Sequence, residues 1–303
     1  MNFLDLLEQY PALLIGATFA FSLLIGSFLN VVIYRFPKSM RYEWTVDSVA
    51  HLSDTYEELK EPLKKYSDLK KPDSIIWARS HCQNCSHQIK AWENIPLFGF
   101  LFLRGKCSGC KTRISHRYWI IELLTAILAT LVVYHFGWSY QSLAGIILTY
   151  FLVAISMIDF DTMVIPDQFS LTLMWIGLFL SLFGVFVDTP SAIKGALLGY
   201  LLLWTIFHLF KLLTGKDGMG YGDFKLLAAA GAWFGMKIVM VVVILSASAG
   251  AVIGTLYIVL SKNSKDKPIP FGPYLAVGTW IAMLYGNQII NWYLSFSGLN
   301  SIQ

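Results

Sequence analysis

The sequence predicts an all-α fold: a polytopic bundle of about eight transmembrane helices with one polar, cysteine-bearing domain inserted early in the chain. Three observations carry this reading. Of 303 residues, 56% are hydrophobic and 14% charged, and the mean hydropathy is +0.57, well outside the range of a soluble globular domain. Charge-free windows recur, the first from residue 9 to residue 34, each long enough to cross about 30 Å of hydrocarbon at about 1.5 Å per residue. Only helices and closed barrels satisfy their backbone groups in lipid, and a helical bundle follows.

The first span covers 12–34. Asp5 and Glu8 precede it with no Lys or Arg, the reverse of a secretory signal's basic start, so it is expected to be a retained span. The remaining spans are placed at 119–136, 142–158, 169–187, 192–213, 224–234, 238–260 and 274–296. Segment 224–234 is short, roughly 16 Å as a helix, and crosses only by borrowing from its neighbours. Gly195 and Gly199, then Ser246, Gly250 and Gly254, recur at a four-residue spacing that lets helix backbones approach closely. No internal repeat or low-complexity tract is visible. The chain thus divides into an N-terminal span, 1–36, a polar domain, 37–117, and a bundle, 118–303. In the polar domain, "DTYEELKEPLKKYSDLKK" reads as a solvated, partly helical face. The run at 95–103 is too short to cross and is expected on the bilayer surface or in the domain's core.

Lys and Arg beside spans prefer the cytoplasmic side. With the N-terminus outside, the inner loops hold the 15 basic residues between positions 35 and 117, and only Lys194 and Lys237 fall outside. This orientation puts the 159–167 stretch and the glycine-rich 218–223 stretch on one cytoplasmic face. The lipid bilayer is the expected environment and no nucleic-acid partner is expected.

Cys82 and Cys85 form one C-x-x-C pair and Cys107 and Cys110 another. Two such knuckles can close a tetrahedral Cys₄ site of the structural kind, with Zn²⁺ the expected single ion. The spacer between the pairs is slightly longer than the usual window for such sites. Two disulfides or one redox pair are the alternatives; a reducing cytoplasm weighs against the first and a second matching pair against the other. His81, His87 and His116 are read as surface or hydrogen-bonding residues.

"MIDFDTMVIPD" ends an apolar span with Asp159, Asp161 and Asp167, and ionisable groups at membrane depth tend to be functional. Asp167, after Pro166, reads as an N-cap, Asp161 as solvated, and Asp159 as the deepest of the three. In "GMGYGDFK" Asp223 begins a helix after Gly222, so capping and catalysis are both open for it. Paired, Asp159 and Asp223 could share one proton as the aspartic-protease dyad does, while glycines 218, 220 and 222 admit an extended substrate backbone.

These stretches, with "GSFLNVVIYRFP" at 26–37, "WENIPL" at 92–97 and "PIPFGPYLA" at 268–276, make the chain resemble the bacterial type IV prepilin peptidases of the GxGD class of membrane aspartic proteases. The resemblance implies catalytic aspartates at Asp159 and Asp223 and zinc ligands at Cys82, Cys85, Cys107 and Cys110. It implies cleavage of type IV prepilins or pseudopilins after a glycine that follows a basic leader, at the cytoplasmic face of the bacterial inner membrane. For the bifunctional members it implies N-methylation of the new terminus from S-adenosylmethionine, whose binding residues no glycine motif marks here. Tyr34, Trp119 and "LFGFL" depart from the family pattern without touching a catalytic or zinc position.

Presenilin-type proteases share the GxGD signature but pair it with Tyr-Asp, where this chain has Ile158 before Asp159. A proton-coupled transporter would need acidic or polar groups along a path across the membrane, whereas Asp159 and Asp223 cluster at one face.

Overall fold

A computed structural model of the chain describes residues 10–67, 69–260 and 269–298; Asp5, Glu8, Lys262, Lys265 and Lys267 lie outside the described residues. Nine α-helices are found among the described residues: α1 Pro11–Thr55, α2 Lys60–Ser67, α3 Phe98–Phe102, α4 Arg117–Phe136, α5 Tyr140–Thr162, α6 Asp167–Ser181, α7 Thr189–Thr214, α8 Tyr221–Leu260 and α9 Gly272–Phe296. Five of them, α1, α4, α5, α7 and α8, are long and apolar enough to cross a membrane. No strand occurs among the described residues, where β-pairing is confined to two isolated bridges.

Some elements differ from the sequence reading in their limits. Helix α1 runs on through Pro37 to Thr55, well past the apolar window that predicts it. Segments 224–234 and 238–260 are two helices as expected: within the stretch named α8 the backbone leaves the helical region at Gly235, whose φ is 76°, a value that glycine alone enters without strain, and the second helix runs back along α9, Ile238 meeting Gly286 and Gly250 lying beside Phe271 and Tyr274. The short first half of α8 is almost wholly buried, so its neighbours are protein and it needs no full crossing of its own. The 95–103 run forms the single turn α3, with Gly99 buried and Phe98, Leu101 and Phe102 exposed, so it belongs to the domain on one side and leaves an apolar surface on the other.

The chain divides into two compact units. One is Ala17–Ile127; the other comprises Met1–Gly16 and Leu128–Gln303. In the second, α8 is the central element and packs against α7, α9 and α6. Its inner face, Phe224, Leu227, Ala229 and Trp233, forms the core with Leu173 of α6, Leu203 and Phe207 of α7 and Leu275 of α9. Gly195 and Gly231 bring the backbones of α7 and α8 into contact, and a Cβ on Gly199 would stand 2.5 Å from the Leu227 carbonyl oxygen. Ser246 does the corresponding work against α9, donating to the Tyr274 carbonyl at 3.1 Å. Gly250 and Gly254 meet only side chains at ordinary contact distance, so of the small residues predicted to draw helices together these two do not. Trp233 fills the space that Gly177 leaves open, its Nε1 donating to the Leu173 carbonyl at 2.8 Å, which satisfies the polar end of a buried indole.

Helix ends in this unit follow their local chemistry. Ser139 caps α5 by accepting from Ser142 N, and Met163 closes it in the left-handed region. Asp188 caps α7, with Pro190 in the first turn, and Gly215 ends it at φ 69°. This is the arrangement of acceptor, proline and glycine expected at helix ends.

In the unit Ala17–Ile127, Arg35 is buried on α1 and its guanidinium donates to the carbonyls of Ser74 at 2.6 Å and Ala78 at 2.8 Å, tying the irregular 74–79 segment to the helix. Asn30 donates to the Tyr118 carbonyl at 3.0 Å, and Gly26 lets α1 and α4 meet at Glu122, where a Cβ would stand 2.7 Å from the Glu122 Cα.

Candidate active site and cysteine cluster

Asp159 lies in the last turn of α5 and is 5% exposed. Its Oδ2 accepts the Gly272 N–H at 3.0 Å. Gly272 is the first residue of α9, so the carboxylate satisfies one of the orphan donors at that helix start and sits at its positive end. A Cβ at position 272 would stand 2.6 Å from Asp159 Oδ2 and 2.8 Å from Ile165 Cδ1; only glycine fits.

Asp223 lies in the first turn of α8 and is 6% exposed. It is not the N-cap: the helix begins at Tyr221, and the Asp223 amide already bonds the Gly220 carbonyl at 3.2 Å. Its Oδ1 is buried without a hydrogen-bond partner among the described residues. A buried carboxylate oxygen left this way is costly in a merely structural role. Gly222 packs on Ile165, where a Cβ would come within 2.7 Å of the Ile165 Cβ. Ile165 therefore touches the glycine beside Asp223 on one side and the glycine beside Asp159 on the other. The two carboxylates are close enough for the charge of Asp159 to act on Asp223.

Asp161 is exposed. Asp167, expected as an N-cap, is instead the first residue of α6, with Pro166 in the cap position. Its carboxylate pairs with Lys225 Nζ through both oxygens, at 2.6 and 2.7 Å, joining the start of α6 to the start of α8. Lys225, Ile165 and Gly272 were not read as site residues from sequence; the signal was their place inside the "GDFK", "VIPD" and "PFGP" motifs.

In the other unit the four cysteines are free of disulfides, and their four Sγ atoms lie within 4.8 Å of one another. Cys82 and Cys110 are 3.8 Å apart and Cys85 and Cys107 3.9 Å. A tetrahedral ion with metal–sulfur bonds of about 2.3 Å spaces its sulfurs roughly 3.8 Å apart, so the donor set fits a metal ion, and the disulfide alternative does not hold. The two knuckles share one backbone pattern: Cys82 N bonds His87 O and Ser86 N bonds Cys82 O, as Cys107 N bonds Thr112 O and Lys111 N bonds Cys107 O. Ser86 and Lys111 both take a positive φ, 57° and 59°, and each knuckle closes on one bridge, His81 to Gln88 and Lys106 to Arg113. This is a short internal repeat that the sequence conceals, because little beyond the cysteines is shared.

The Thr112 hydroxyl and amide, with Asn84, hold the Cys110 thiol down at about 5. For Cys85 the His87 amide acts to lower the thiol, but Cys110 and burial push it up to about 12. Four adjacent thiols cannot all ionise without a cation among them. The histidines are hydrogen-bonding residues: His87 Nε2 is 2.9 Å from Ser108 Oγ and 3.4 Å from Glu93, and His116 Nδ1 accepts from Trp119 Nε1 at 3.3 Å. The Ser108 hydroxyl and the Lys90 amide, aided by His87, hold the buried Glu93 carboxyl below the usual carboxylate range.

Residues 20–136 match the model of the bacterial peptidase A24 N-terminal domain, and residues 146–255 that of the type IV leader peptidase family. The chain is 47% identical to a prepilin leader peptidase/N-methyltransferase of Aeromonas hydrophila, over 96% of this chain and 98% of the relative. It is 45% identical to the protein of that name from Pseudomonas aeruginosa, over 98% and 99%, and 44% identical to that from Neisseria gonorrhoeae, over 90% and 92%. No solved structure matches the chain. The chain belongs to the type IV leader peptidase family.

Proposed function

We propose that this chain is a membrane aspartic endopeptidase that removes the basic leader of type IV prepilins or pseudopilins after a glycine, and N-methylates the terminus so exposed. The observation that carries the peptidase reading is the convergence of two buried carboxylates from α5 and α8 around Ile165, which packs on Gly222 beside Asp223 and on Gly272 beside Asp159, one carboxylate having an unpartnered oxygen. Two acids this close share a proton. The Gly272 N–H supports Asp159 as the anion, and Asp223, whose Oδ1 has no donor, holds the shared proton. Asp159 then takes a proton from water as its oxygen attacks the scissile carbonyl carbon, and Asp223 gives its proton to the leaving amine as the C–N bond breaks.

S-adenosylmethionine supplies the methyl group. Cys82, Cys85, Cys107 and Cys110 hold one Zn²⁺; four thiolates leave no coordination position open, so its role is structural. The distribution of basic residues supports an N-terminus on the periplasmic side of the inner membrane and a dyad at the cytoplasmic face. The polar domain at 37–117 would then share that compartment with the substrate's leader.

Purified protein in detergent, incubated with a prepilin with and without S-adenosylmethionine, should give products whose masses report leader loss and one added methyl group. Asp159→Asn and Asp223→Asn should each abolish cleavage and leave zinc content unchanged. Cleavage by either variant at the wild-type rate sinks the dyad.

A further inference from the structure

Within the unit Ala17–Ile127, the short helix α3 has two unlike sides. Phe100 packs inward, its ring 5.6 Å from that of His116 and 6.3 Å from that of Trp119 at the start of α4. Phe98, Leu101 and Phe102 are 55, 67 and 73% exposed, and the rings of the two phenylalanines lie 6.5 Å apart, so the three make one apolar face. Such a cluster is costly to leave in water. Arg104 and Lys106 follow it directly and are exposed.

The level at which α3 is held indicates what covers that face. Leu97, the residue before α3, donates its N–H to Glu122 Oε2 at 2.9 Å. Glu122 lies beyond Arg117 on α4 by roughly 7 Å of helix axis, inside the apolar run "RYWIIELLTAIL". On the neighbouring helix, Glu122 meets α1 at Gly26, which belongs to the charge-free window ending at residue 34. Along both spans the point of attachment is therefore past the charges that mark the membrane boundary. The offset from Arg117 falls in the range of about 5–10 Å to which interfacial helices sink their apolar faces.

We propose that α3 is an interfacial anchor: Phe98, Leu101 and Phe102 enter the acyl chains of the leaflet at which α1 passes into charged sequence, and Arg104 and Lys106 meet the phosphates of its headgroups. The anchor joins the second cysteine knuckle without a linker, since the Gly105 amide bonds the Phe100 carbonyl at 2.9 Å and the Ile114 amide bonds the Gly105 carbonyl at 2.8 Å. The four-cysteine cluster is thereby fixed against the membrane surface instead of riding on a free-standing domain. This inference is independent of the peptidase and methylation readings.

The test places trifluoromethylphenylalanine singly at Phe102, Phe28 or Tyr56 of the full-length protein, reconstituted in nanodiscs of phosphatidylethanolamine and phosphatidylglycerol. Phe28 is exposed within the apolar window of α1, and Tyr56 is exposed among acidic residues after that helix. Broadening of the fluorine resonance by dissolved oxygen, which concentrates among acyl chains, is compared with broadening by a water-soluble nickel chelate. The label at Phe102 is expected to match that at Phe28, broadened by oxygen and shielded from nickel, with the reverse at Tyr56. Nickel broadening at Phe102 as strong as at Tyr56 overturns the anchor. Shielding from both reagents would mean that protein covers the face, and overturns it as well.

Discussion

Gly272 is the residue on which the geometry of Asp159 depends most directly. Its amide holds the carboxylate, and any Cβ there would collide with that same carboxylate and with Ile165. Gly272→Ala is therefore expected to lower kcat for prepilin cleavage by about 10²-fold, the order of loss that a displacement of about 1 Å produces, with KM little changed; unaltered kcat would show that the approach is not critical. The burial of Asp159 and Asp223 and the clustering of the four cysteines were legible in sequence because carboxylates beside apolar spans and paired C-x-x-C knuckles are uncommon. Gly272, Ile165 and Lys225 were not, because their roles exist only once three helix ends meet. Glu122 had a signal that could have been read: it is an acid in the apolar run "RYWIIELLTAIL".

At the scale of elements, the helices were legible from apolar length alone, and their limits less so. The window that marks α1 ends where lipid would end, but helical hydrogen bonding does not depend on hydrophobicity, so the helix continues through Pro37 into the charged sequence. The gap expected between 234 and 238 is centred on a single glycine with positive φ, Gly235, where the chain reverses: the first half of α8 is held by α7 at Gly231, and the second runs back along α9 from Ile238 beside Gly286 to Gly250 beside Tyr274. That hold depends on backbone contact at Gly195 and Gly231. Gly195→Leu should destabilise the protein by about 1–3 kcal/mol through overpacking, seen as a lower Tm in detergent; an unchanged Tm would mean that α7 and α8 can separate without loss.

At the scale of the whole molecule, the four-cysteine cluster and the buried Asp159 and Asp223 lie in different compact units, and the composition is charged and cysteine-bearing early, apolar later. Composition could not reveal the paired architecture of the knuckles, because hydrogen bonds and φ values repeat there and side chains do not. Metal retention should depend on pH with a definite sign. Thiols such as Cys85, held protonated up to about 12 without a cation, must release protons to bind one, so the content of a metal ion held there is expected to be complete near neutrality and to fall as pH drops toward about 5. Metal analysis after dialysis at graded pH checks this, and a flat profile would count against thiolate ligation. Each knuckle brings only half of a tetrahedron, and half a tetrahedron grips an ion poorly. Assembly is therefore all or nothing: a cell starved of the metal would hold two populations, one with its hairpins locked together and one with both let go, and few molecules in between.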